Sequence, residues 1–177
     1  MNNRRVLILV VLIIPLLITA VIISIRHPPL TQASPNATIT VNTVADENDG
    51  CGINNCSLRE AIVAANSGDT IEFSVGGTID IFGNGQLTID KDLTISGTMP
   101  ITVSGGNASR VFNITSGNVT FDSLTIANGN DQSTDCGFSC GGGIAIQNSG
   151  IVVTITNSTL INNVADRGGG IYSNSRS

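Results

Sequence analysis

The chain has no tryptophan, one tyrosine and one histidine, and only 12% of its residues are charged. The lone histidine, His27, sits beside an apolar N-terminal run. That leaves Ser-His-Asp and Cys-His constellations without a base and removes histidine-based metal sites. No Gly-rich loop runs into a Lys-Ser/Thr pair, so a phosphate cradle of the P-loop type is excluded. The shortage of aromatic rings leaves few platforms for stacking sugars. Basic residues are scarce too: beyond residue 33 there are thirteen acids against five bases, with Lys91 the only lysine. Nucleic acid, which needs a basic footprint, is not an expected partner.

What is present begins with residues 6–25, VLILVVLIIPLLITAVIISI, twenty residues without a charge and preceded by Arg4 and Arg5. A helix of that length spans roughly the 30 Å of bilayer hydrocarbon, and Pro15 is tolerable in such a setting. The membrane is therefore the first expected partner, through residues 6–25. The length favours an uncleaved anchor, and a secretory signal cleaved near Thr31-Gln32-Ala33 is the alternative. The paired arginines keep the N-terminus inside. This predicts a cell-surface protein with its C-terminal domain outside, or a secreted one if the segment is removed. Residues 1–27 form the anchor or signal segment, and 28–37, rich in proline, an extended linker.

Four cysteines fall into two local pairs, Cys51 with Cys56 and Cys136 with Cys140. Three connectivities are open; in an exported chain, two local disulfides are expected rather than a zinc site. Ser57 to Asn66 reads as the single helix of this region. Ser57 is an N-cap, Glu60 completes a capping box, and Leu58, Ala61, Ile62 and Ala65 share one face. Arg59 and Glu60 are assigned to this cap, and Gly68 supplies a stop. The loop 46–49, although acidic, lacks the spacing of an EF-hand and reads as solvated.

From Thr70 on, short β-runs (70–75, 77–83, 86–90, 92–97, 101–105) alternate with Gly, Asn, Ser and Asp turns. The runs repeat. Residues 87–97 (LTIDKDLTISG) overlay 153–163 (VTITNSTLINN), 119–128 fits between them, and the triplet at Gly141 returns at Gly168. Such periods without a helix in each repeat predict an all-β solenoid, a parallel β-helix over 70–177. Residues 38–69 form its capping region, and Asn128 and Asn163 stack at equivalent turns. An antiparallel sandwich is the runner-up. The repeat is interrupted at Ser177 without a cap, so further coils are expected beyond it.

The hexapeptide Cys56-Ser-Leu-Arg-Glu-Ala61, with its surroundings 39–73, resembles the CSLREA-domain family. The downstream GGGI and TNSTLINNVA elements resemble repeats of polymorphic outer-membrane proteins and related right-handed β-helix proteins. The resemblance implies a right-handed parallel β-helix at the start of a large bacterial surface protein. It brings no catalytic motif, and this chain lacks most of the coils and the C-terminal domain of longer members.

Carboxylates offer the remaining chemistry. Asp90 and Asp92 flank Lys91, and the repeat aligns Asp122 with Asp90 one coil later. Stacked acids with Arg110 could bind Ca²⁺ in the manner of a polysaccharide-lyase site. The plainer reading is a polar turn, where Asp is favoured. Six sequons, among them those at Asn113 and Asn157, are likewise read as turn chemistry. The sequence thus predicts a non-enzymatic structural or adhesive module that meets cell-surface or matrix components and needs no cofactor. The alternative is a polysaccharide lyase or glycosidase working in a carboxylate-lined groove.

Overall fold

A computed structural model describes residues 36–131 and 140–174. The chain begins with β1 (Thr38–Val41), α1 (Leu58–Ala64), β2 (Asp69–Phe73), β3 (Gly77–Asp80) and β4 (Leu87–Ile89). It continues through β5 (Leu93–Ser104), β6 (Phe112–Ile114), β7 (Val119–Ala127), β8 (Asn130–Asp131) and β9 (Ile144–Ile146). The last elements are β10 (Val153–Thr156), β11 (Thr159–Ile161), β12 (Val164–Ala165) and β13 (Ile171–Ser173).

Every strand pairing among the described residues is parallel. The strands nevertheless do not make the single right-handed parallel β-helix expected from the repeats. They divide into three separate sheets of seven, four and two strands. The largest runs β1-β2-β5-β7-β10, with β3 on β5 and β11 on β7; the second is β13-β9-β6-β4 and the third β12-β8. Backbone corners explain the division. Gly85, Gly117, Asn128 and Asn162, each between strands of different sheets, adopt positive φ, which turns the chain out of the extended conformation and ends each hydrogen-bonded run.

Alternation within strands builds the core. Ile39, Ile71, Ile95, Phe121 and Ile155 occupy one column of the large sheet, and Leu87, Phe112, Ile144 and Ile171 one column of the second. Phe112 and Phe121 bring these sheets together, with ring centroids 4.7 Å apart and planes tilted by 48°. Helix α1 lies against β1 and β4 and buries Leu58, Ala61 and Ile62. It ends before the expected stop, because Ala65 is already extended.

The transmembrane helix expected over 6–25, and with it single-pass anchoring at the cell surface, finds no counterpart among the described residues. No helix among the described residues is long and apolar enough to cross a membrane. Helix α1 has seven residues, about 10 Å of rise against roughly 30 Å of hydrocarbon. Residues 6–25 themselves, like Cys136, lie outside the described residues.

Candidate functional site

The cap is assembled around Glu60. Its Oε2 accepts from the Ser57 N–H at 2.8 Å, and Oε1 accepts from Asp49 and Gly50 at 2.8 and 2.7 Å. The Glu60 N–H in turn donates to Ser57 Oγ, so both halves of the capping box are formed. The Ser57 N–H, followed by those of Asp49 and Gly50, holds the Glu60 carboxyl down at about 2 against the opposition of burial. Asp49 moves the other way, its carboxyl raised by the hydrogen bond and charge of Glu60. The Cys51–Cys56 disulfide closes the same loop. Cys140 is buried and disulfide-bonded too.

Two features of the cap were not legible in the sequence. Asp46, read as part of a solvated loop, accepts a bidentate pair from Arg59 at 2.9 Å for each bond, and both side chains are largely buried. Arg59 also donates to the carbonyls of Gly85 and Gln86, tying the cap to the chain before β4. Lys91 donates to the carbonyls of Ile62 and Ala65 at 3.2 and 3.0 Å. It thereby satisfies orphan acceptors at the helix C-terminus, where a cation is favoured.

The carboxylate groove does not form. Asp90 follows β4 of the four-stranded sheet and is mostly exposed, 3.6 Å from Lys91. Asp122 lies in the seven-stranded sheet, in register with Ser96 and Thr156 rather than with Asp90. Thr156 and Asn157 donate to Asp122 and lower its carboxyl, as does Ser123. Asp92 accepts from the Asn118 N–H at 2.7 Å, and Asn118 Oδ1 from Val152 N–H at 3.2 Å. Arg110 donates to the Gly141 carbonyl, to Gln86 and to Asp131. Each group is occupied in turn chemistry. Among the described residues no three His, Cys, Asp or Glu side chains converge to hold a metal ion.

The feature that repeats from layer to layer is hydroxyl-bearing. Thr38, Thr70, Thr94, Thr120 and Thr154 are successive register partners on the outer face of the large sheet. At about 4.8 Å between strands, they form a row of roughly 19 Å. Beyond the bend at Ser123, where φ is 57°, Thr78, Thr102, Thr125 and Thr159 make a second row. This second row lines an open cleft of about 280 Å³, bordered by Pro100, Ser123 and Asn157 and free of charged side chains. β-Branching restricts each threonine's χ1, and stacking restricts it further, so methyl and hydroxyl groups are held in a repeating order.

No family model, curated protein or solved structure matches this chain.

Proposed function

We propose that the protein is a non-enzymatic structural or adhesive module that meets its partner through the two threonine rows. The in-register series Thr38, Thr70, Thr94, Thr120 and Thr154 carries this reading. A row of identical, rotationally restricted side chains offers many weak contacts at a fixed spacing, and their sum rather than any one of them sets affinity. The Asp90–Asp122 stack needed for the lyase reading is absent from the register, which favours the module. The Cys51–Cys56 bond is consistent with work under oxidising conditions. The CSLREA resemblance at residues 56–61 is in keeping with it.

Binding of the full chain to matrix polymers and to cells, measured beside polymer cleavage, tests the proposal. Replacing Thr94 and Thr120 by valine preserves shape and strand propensity while deleting two hydroxyls. At about 0.7 kcal/mol each, binding weakens about tenfold. Unchanged binding in this variant, or polymer cleavage abolished by the pair Asp90→Ala and Asp122→Ala, would overturn it.

A further inference from the structure

The two threonine rows are not equivalent. Two residues along the strands from the first row runs the column Thr40, Glu72, Ser96, Asp122 and Thr156, which puts two carboxylates on that face. The second row, Thr78, Thr102, Thr125 and Thr159, instead lines the charge-free cleft, which crosses four layers from β3 to β11. At the usual strand spacing the row is roughly 14 Å long. We propose that this cleft is a binding site for a neutral oligosaccharide chain running from layer to layer along the row. The proposal rests on the adhesive reading above and specifies the ligand class for one of its two rows.

Three observations carry the inference. No protein group among the described residues hydrogen-bonds the hydroxyls of the second row, whereas those of Thr98, Thr115 and Thr156 are spent on the Phe73 and Ile89 carbonyls and on Asp122. Each hydroxyl of the row is left with one bond to donate and two to accept.

The rim, secondly, is built in advance. Asp122, whose carboxylate does not line the cleft, accepts from Ser123 Oγ at 3.1 Å and from Asn157 Nδ2 at 3.0 Å. That orients the Asn157 amide and leaves its oxygen as an acceptor. Ile101 and Leu124 beneath are buried, and the Leu124 N–H donates to Ser158 Oγ in the next layer, so core packing fixes the floor.

The third observation selects the occupant. With no charged side chain in the cleft, an ionic ligand would shed its hydration without gaining a counter-charge. An apolar ligand would bury the hydroxyls unbonded. Uncharged sugars offer hydroxyls that donate and accept in return, while their C–H faces meet Pro100 and the threonine methyls.

Isothermal titration of the full-length chain, in a zwitterionic detergent that keeps residues 6–25 in solution, provides the test. The titrants are cellotetraose, mannotetraose and chitotetraose, with tetragalacturonate as the charged counterpart. At least one neutral titrant is expected to bind with Kd of about 1 mM or below, and tetragalacturonate at least tenfold more weakly. The double variant Thr102→Val, Thr125→Val should weaken binding more than tenfold while its circular dichroism stays native, and Thr88→Val, on β4, should leave it unchanged. Thr78→Val, at the exposed end of the row, serves the same purpose if the double variant fails to fold. No neutral titrant bound at about 10 mM, a preference for tetragalacturonate, or binding that survives the cleft variants overturns the proposal. A chain that then still binds cells or matrix keeps the adhesive reading; one that binds nothing loses both.

Discussion

Glu60 is the side chain whose loss should be felt most clearly, because one buried carboxylate satisfies three backbone N–H groups. Glu60→Gln keeps the shape but removes the charge that makes those bonds strong. A carboxyl lowered from its usual value to about 2 corresponds to at most about 3 kcal/mol. Asp49 and Gly50 are exposed, so water replaces part of what they lose. The expected cost of Glu60→Gln at neutral pH is therefore roughly 2 kcal/mol, or about 4–8 °C in Tm.

The sign with pH follows from linkage. A carboxyl with a lowered folded pKa contributes stability that is fully present above its unfolded value of 4.5 and fades as pH falls through about 2. Asp69 and Asp122 are lowered too, so the wild type alone would show their combined effect. The difference between wild type and Glu60→Gln isolates the cap. Urea denaturation of both proteins at several pH values should show that difference shrinking from about pH 5 down to about pH 2. A gap that stays constant over this range, or is absent at neutral pH, would refute the reasoning.

Two further outcomes are expected. A β-carbon at Gly142 would run into the carbonyl of Val164 and the backbone of Gly129, where two layers of chain pass too close for a side chain. Gly142→Ala should cost more than about 3 kcal/mol, read as a lowered denaturation midpoint with an unchanged far-UV spectrum in the surviving folded fraction. Replacing Cys51 and Cys56 together by serine opens a short loop and should cost roughly 2 kcal/mol. Thermal melts of the variant and of the wild type under reducing conditions should then lie close together.

The cap was the most legible part of the sequence because its determinants are local. Ser57 and Glu60 lie within one helical turn, and Cys51 and Cys56 within one loop; both pairs form as read. The layers were harder. Val153 does pair with Val119, and Ile171 with Ile144. The earliest copy is displaced, however: Val119 pairs with Leu93, not with Leu87. The tripeptide Leu-Thr-Ile occurs at 87–89 and again at 93–95, six residues later, and nothing local distinguishes these two copies. Pairing with 112–114 places 87–89 in the other sheet. That slip is what placed Asp122 over Asp90 on paper.

The asparagines shift by one position for a similar reason. Ile161 pairs with Ala127, which puts Asn162 after Asn128, and both take positive φ. Asn163 follows Gly129 instead and turns its amide onto the Gly129 N–H and the Ile126 carbonyl. The Asp46–Arg59 and Lys91–helix contacts were hidden because each joins residues more than ten positions apart, with no periodic pattern to connect them.

The unequal spacing of the layers bears on how such a chain can change over evolutionary time. Thr94 lies 24 residues after its partner Thr70, Thr120 comes 26 later, and Thr154 another 34. Hydrogen bonding fixes which residues stand opposite one another but leaves the length of chain between them free. Insertions at the bends can therefore accumulate, diverge or vanish without moving a strand. The exposed turn at Ser149 and Gly150, between β9 and β10, sits in the longest of these three intervals. It is a natural place to graft a foreign peptide, with the threonine rows and the core serving as an unaltered chassis.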